Sequence, residues 1–166
     1  MNRPTAARRS TVSLEHSTVA DIDFFFELQQ DPEAVWMAAF TSTNLADREA
    51  FEARWTRVLD DPTILVRTVL LGGERVGQVL KHVADGQPEV SYWISRQHWG
   101  RGLATAALRL LLDDIGERPV YARVAQDNVG SLRVLLRNGF SITGANESPA
   151  AARGEMLKEY VLMLAG

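Results

Sequence analysis

Between residues 89 and 115 the chain changes its hydrophobic period. Residues 89–95 (Glu-Val-Ser-Tyr-Trp-Ile-Ser) read as a buried strand, whereas 102–115 place Leu103, Ala106, Ala107, Leu110 and Leu111 at helical spacing, with Gly116 as a stop. Gln97-His98-Trp99-Gly100-Arg101-Gly102 joins them. A strand that runs through glycines straight into a helix belongs neither to an all-β nor to an all-helical fold. The turn also has chemistry. The first N–H groups of a helix lack internal partners and carry partial positive charge. Glycines at 100 and 102 let an anion approach the backbone with no Cβ in the way, and Arg101 adds a charge-assisted contact. Two other readings stay open at this point. One is a plain connection that uses glycine for turn geometry. The other is a dinucleotide turn, since Gly100-x-Gly102-x-x-Thr105 approximates that fingerprint. Five residues between strand and first glycine, and a position after a meander, argue against the dinucleotide turn.

The rest of the chain supplies the frame. Residues 11–16 alternate around Val12 and Leu14 and form a first strand. Thr18 with Asp21 resembles a capping box opening a helix through Phe24, Phe25 and Leu28, and Asp31-Pro32 ends that helix or forces a turn. A second helix begins near Asn44, carries Phe51, Trp55, Val58 and Leu59 on one face, and closes at Asp61-Pro62. Three strands follow at 63–71, 75–84 and 89–95, turned at Gly72-Gly73 and Asp85-Gly86. Beyond the helix at 102–115 come a strand at 119–125, a helix at 128–138 capped by Gly139, and strands at 140–143 and 156–164. This order predicts an α/β (α+β) fold: a mixed, mainly antiparallel sheet of about seven strands flanked by about four helices.

Composition removes several classes of function. The 166 residues suit one domain, expected over 11–166, behind a flexible N-terminal tail at 1–10 in which no apolar run follows Arg3, Arg8 and Arg9. The net charge of −3 argues against a nucleic-acid or anionic-membrane partner. The absence of cysteine excludes disulfides, thiolate metal sites and a cysteine nucleophile, and, with no secretory signal expected, the cytoplasm is the expected location. No metal is expected. No Gly-x-Ser-x-Gly elbow suggests a covalent serine intermediate.

Gln97-x-x-Gly100-x-Gly102 resembles the pyrophosphate-binding signature of the GNAT N-acetyltransferase superfamily, and it lies between the fourth strand and the helix that follows, as in that family. Asn128-Val129-Gly130-Ser131, followed by Asn138-Gly139-Phe140, resembles the family's second cofactor segment. The element order matches from about residue 11 to 164, and Tyr92-Trp93-Ile94 with Trp99–Thr105 looks most like the RimJ/RimL-like branch.

The resemblance implies that the fourth and fifth strands splay apart and that an acyl-CoA, acetyl-CoA above all, lies in the gap. Cofactor contacts are then expected from Ile94, Gln97, Trp99, Gly100, Arg101, Gly102, Leu103, Ala104, Thr105, Asn128 and Ser131. An amine attacks the thioester directly, so catalysis is positioning plus stabilisation of developing charge. Many relatives carry a Tyr seven residues after the Asn. Here that position is Leu135, and the branch this chain resembles has a serine matching Ser131. Ser131 is thus either the donor to the departing thiolate or a small helix-packing residue. Glu89 is the candidate base or an exposed strand-end charge, on the face opposite Tyr92 unless a bulge resets the alternation; His82 is the second choice and His98 belongs to the turn. Asn128 holds the cofactor or strand end, caps its helix, or both. Trp36, Met37 and Phe40 form a lid on the core or walls of an acceptor pocket, with Tyr92 as a further acceptor contact. The expected partner is an amine, either a small molecule or a protein N-terminus, and a homodimer is compatible with all of this. An acyl-CoA-binding module without turnover is the rival reading.

Overall fold

The computed structural model describes residues 11–166, so the tail expected over 1–10 lies outside the described residues. In chain order the elements are β1 (Val12–His16), a 3-10 turn (Val19–Asp21), α1 (Ile22–Leu28), α2 (Pro32–Ala38), α3 (Arg48–Asp60), β2 (Leu65–Leu71), β3 (Glu74–Ala84) and β4 (Gln87–Ile94). A second 3-10 turn (Arg96–His98) leads to α4 (Leu103–Ile115), β5 (Val120–Ala125), α5 (Val129–Arg137), β6 (Ser141–Ala150) and β7 (Glu155–Leu164). The strands form one seven-stranded sheet in the order β1-β2-β3-β4-β5-β7-β6. All neighbours are antiparallel except β4 and β5.

The mixed sheet agrees with the expectation from element order, and four details differ from it. Asp31-Pro32 does not merely end α1. Asp31 accepts hydrogen bonds from the N–H groups of Glu33 and Ala34, and Pro32 occupies the first turn, where its missing N–H costs nothing, so a further helix starts there. Trp36 and Met37 therefore lie on α2, making five α-helices among the described residues where about four were expected. The next helix starts not near Asn44 but at Arg48, where the Asp47 side chain accepts from Ala50 N–H. On α4 the inward stripe is Leu103, Ala107, Leu108, Leu111 and Leu112, while Leu110 is half exposed. In a helix this apolar, spacing alone leaves the inward direction undetermined by one residue. Finally, β6 runs to Ala150. Its Gly, Asn, Ser and Pro residues disguise it, and they are tolerated because β6 is a mostly exposed edge strand.

Two apolar layers hold the sheet. On one face Val79, Val90, Ile94, Val120, Ala122, Val124 and Leu162 pack against the α4 stripe and Leu135 of α5. On the other, Val66 lies beneath Ile22 and Phe25 of α1 and Phe51 and Trp55 of α3, with the Phe25 and Trp55 rings 4.8 Å apart. Truncating a buried leucine such as Leu111 in this packing costs about 2–5 kcal/mol. Among the described residues no helix is long and apolar enough to cross a membrane.

The sheet opens between β4 and β5. β3 and β4 pair without interruption from Gly77 opposite Ile94 to Ala84 opposite Gln87. β4 and β5 meet only at Glu89 opposite Tyr121. From Val90 onward the two strands part, and a gap opens towards the end of β4. The expected splay is present.

Candidate active site

The gap is bounded by two strand–turn–helix units, β4 into α4 and β5 into α5. At the first, Gly100 and Gly102 have φ of 73° and 75°, a left-handed conformation that favours glycine. A Cβ built on either would meet nothing within 4 Å, so the backbone faces open space. Gly102 is the N-cap of α4 and, lacking a side chain, provides no cap bond. The first helical N–H with an acceptor in the helix is that of Ala106, on Gly102 O at 3.1 Å. The N–H groups of Leu103, Ala104 and Thr105 thus stand at the positive end of a 13-residue helix without intrahelical acceptors. By contrast α2, α3 and α5 each begin under an Asp or Asn side chain.

Around that end, Gln97, Trp99 and Arg101 are exposed and Leu103 is buried. The Trp99 indole donates to Ile94 O at 2.8 Å, closing the end of β4 onto the turn. His98 is buried, and its Nδ1 has no hydrogen-bond partner among the described residues. Arg96 joins the turn to α2 by ion pairs to Asp31 at 2.8 Å and Glu33 at 2.5 Å. The Ala34 N–H and Arg96 hold the Asp31 carboxyl below its ordinary value.

The second unit is filled by its own side chains. Asn128 Oδ1 accepts from the Ser131 N–H at 3.2 Å, capping α5, while its Nδ2 donates to Met37 O of α2 at 3.1 Å. Ser131 Oγ lies 2.5 Å from Tyr92 Oη, and the same phenol reaches Ser131 O at 3.0 Å. Tyr92 therefore spans the gap from β4 to α5. Burial pushes its phenol up to about 12, with the Ser131 hydrogen bond pulling the other way, so it stays protonated near neutrality. Leu135 is buried in the core, and its aliphatic side chain has no proton to donate.

The β3–β4 ladder has no bulge, so alternation sends Glu89 away from Tyr92, where it pairs with Arg123 at 3.3 Å. The same guanidinium approaches Asp85 at 3.3 Å and the buried Glu159 at 3.8 Å, and Glu159 also accepts from Ser148 at 2.8 Å. Sequence reasoning passed over Glu159 because one Glu in a strand carries no periodic signal. Trp36 is exposed on α2; its ring lies 4.9 Å beneath Arg153, which also donates to Trp36 O and pairs with Asp127. Phe40 packs on the small residues Ala39, Ala125 and Ala150 beside the end of β5. The structure brings Ser131, Asn128 and Tyr92 together, sets the glycine turn across the gap, and puts Glu89 on the other side of the sheet.

A family model for the acetyltransferase (GNAT) domain matches residues 12–141, most of the chain. The chain belongs to the GNAT family. Among curated proteins, an uncharacterized N-acetyltransferase p20 from Bacillus licheniformis is 27% identical over 84 residues, covering 48% of this chain and 47% of that one. The match therefore spans about half the length of that relative. Among solved structures, RimL, a ribosomal-protein alpha-N-acetyltransferase in complex with coenzyme A, superposes with a TM-score of 0.81 at 14% identity, over 93% of this chain and 94% of that one. A spermidine N-acetyltransferase from Vibrio cholerae in complex with CoA and spermine gives 0.81 at 16% identity, over 93% and 95%. At such identities these two likenesses speak for the GNAT fold alone.

Proposed function

We propose that this GNAT protein is a cytoplasmic acetyl-CoA-dependent N-acetyltransferase, with residues 11–166 as its catalytic domain. It moves the acetyl group to a primary amine, a protein N-terminus or a small-molecule amine, by direct attack on the thioester. The observation that carries this reading is the contrast at the gap: α4 begins on bare Gly102 beside the open Gly100, whereas α2, α3 and α5 are capped. A helix start left without a side-chain acceptor, facing open space, suits a phosphate. The N–H groups of Leu103, Ala104 and Thr105 would receive the pyrophosphate, with Gln97, Trp99 and Arg101 at its margins. The β4 backbone near Ile94, unpaired with β5, would face the pantetheine amides.

In the chemistry, the amine nitrogen forms a bond to the thioester carbonyl carbon, the C–S bond breaks, and the electron pair stays on sulfur. This chain's residues position the reactants and stabilise that charge. Ser131 is the hydroxyl on α5 that stabilises the thiolate, since Leu135 offers no acid. Asn128 holds Ser131 in place. Glu89 would accept the ammonium proton through water from the far face, and Trp36 and Phe40 would line the acceptor side. The test is release of free thiol from acetyl-CoA with a panel of amines that includes peptides with free N-termini. Acetyl-CoA should also raise the melting temperature by mass action, and NAD should not. Equal shifts with both ligands, or no thiol with any amine, would remove the reading.

A further inference from the structure

We infer that Tyr92 is the positioning residue for Ser131: its phenol turns the serine hydroxyl outward, making Ser131 a hydrogen-bond donor to the departing thiolate instead of a donor back into the protein. The inference rests on the acetyltransferase reading above and concerns how its leaving group is handled.

Hydrogen-bond bookkeeping around one oxygen carries it. Tyr92 Oη has a single proton and two acceptors within reach, Ser131 Oγ at 2.5 Å and Ser131 O at 3.0 Å. With the phenol proton on the carbonyl, the serine proton falls on Tyr92 Oη and nothing points out. With the phenol proton on Ser131 Oγ, the serine keeps its own proton free for a third atom. The carbonyl can only accept, so these two arrangements exhaust the pair. A negative sulfur beside Ser131 selects the second, giving a chain from phenol to serine to thiolate in which each bond polarises the next. The phenol suits the task because burial holds it at about 12, so it keeps its proton.

The geometry keeps the pair together. Tyr92 comes from β4 and Ser131 from α5, the two lips of the gap, and Asn128 pins the Ser131 N–H at 3.2 Å. No proton is consumed. The amine nitrogen loses its proton through water to Glu89, as proposed above, the C–S bond breaks with its electron pair on sulfur, and the thiolate is protonated from solvent as it leaves. Both hydroxyls end the turnover with the protons they began with.

A double-mutant cycle tests this, with kcat and acetyl-CoA Kd read separately. Tyr92→Phe should lower kcat about tenfold, the loss of one hydrogen bond converted to rate, and leave the Kd for acetyl-CoA within about twofold. In the Ser131→Ala background the same change should do almost nothing. In Ser131→Thr, which keeps the hydroxyl, the tenfold effect should return. A Tyr92→Phe effect that persists undiminished without the Ser131 hydroxyl overturns the inference and makes Tyr92 an acceptor contact. So does an unchanged kcat, or a weakened Kd with normal kcat. Wild-type thiol release is measured first and decides the acetyltransferase reading by itself, so the two failures are distinguishable.

Discussion

α4 and α5 leave the two sides of the same gap, each after a strand and a short turn, and they begin in opposite ways. α4 starts on a glycine with φ of 75° and a bare backbone. α5 starts beneath Asn128, whose side chain caps the helix and ties it to α2. One helix start leaves its first N–H groups without a side-chain acceptor, and the other holds Ser131 and, through Tyr92, the opposite strand. The comparison separates binding from chemistry within one site. In the function proposed above, the α4 end would supply donors to an anion, and the α5 end would supply a fixed hydroxyl. Stability and function should therefore respond differently to changes at each.

The largest effect is expected at the filled end. Asn128→Ala removes the cap, worth about 1 kcal/mol, and leaves the half-buried Met37 carbonyl without its donor, worth a similar amount. A total loss of about 2 kcal/mol should appear in denaturant unfolding, together with a fall in kcat as Ser131 loosens. If stability is unchanged, the filled end is not a structural joint.

Next comes the bare end. Gly102→Val meets nothing within 4 Å, so the fold should persist with only the cost of a left-handed β-branched residue. Its side chain would stand where the phosphate must approach, raising the acetyl-CoA Kd at least tenfold, about 1.4 kcal/mol. Normal affinity in the folded variant, by calorimetry, would place the phosphate elsewhere.

Asn128→Asp sharpens the comparison at smaller scale. The carboxylate still accepts from the Ser131 N–H and suits a helix start, but it cannot donate to Met37 O. A loss of about 1 kcal/mol with kcat nearly kept would show that the cap, and not the tie to α2, serves the chemistry.

A last effect is confined to the alkaline side. Tyr92 is raised from 10.0 to about 12 in the folded chain, so its contribution to stability is fully present below pH 10 and is lost as pH rises towards 12. Wild type should lose stability more steeply than Tyr92→Phe across that window. Parallel curves would mean that the phenol is more solvated than its packing implies.

Much of this was legible in the sequence for local reasons. The capping box at Thr18 and Asp21, the glycine turn and the cap at Asn128 act over three or four residues, and each has the geometry its residue types predict. The meander was readable because Gly72-Gly73 and Asp85-Gly86 are turn chemistry between strand-period runs. Asp31-Pro32 was ambiguous, since the same pair can stop one helix or start another, and only the Asp31 side-chain bonds to Glu33 and Ala34 distinguish these. Only the start of β6 is legible, because an edge strand needs no apolar face to pair with β7.

What the sequence determined by itself is most of the elements, the mixed class of the sheet and the glycine turn at Gly100–Gly102, because periodicity, capping and backbone freedom are local properties. Tertiary structure decided which residues meet across the gap. Tyr92 and Ser131 are 39 residues apart, and Glu89 and Arg123 are 34 apart, so their contacts depend on where β4 and β5 part and on how α5 is set between α2 and the sheet. Such long-range contacts leave no mark in local spacing, because the chain between them can vary without moving either end.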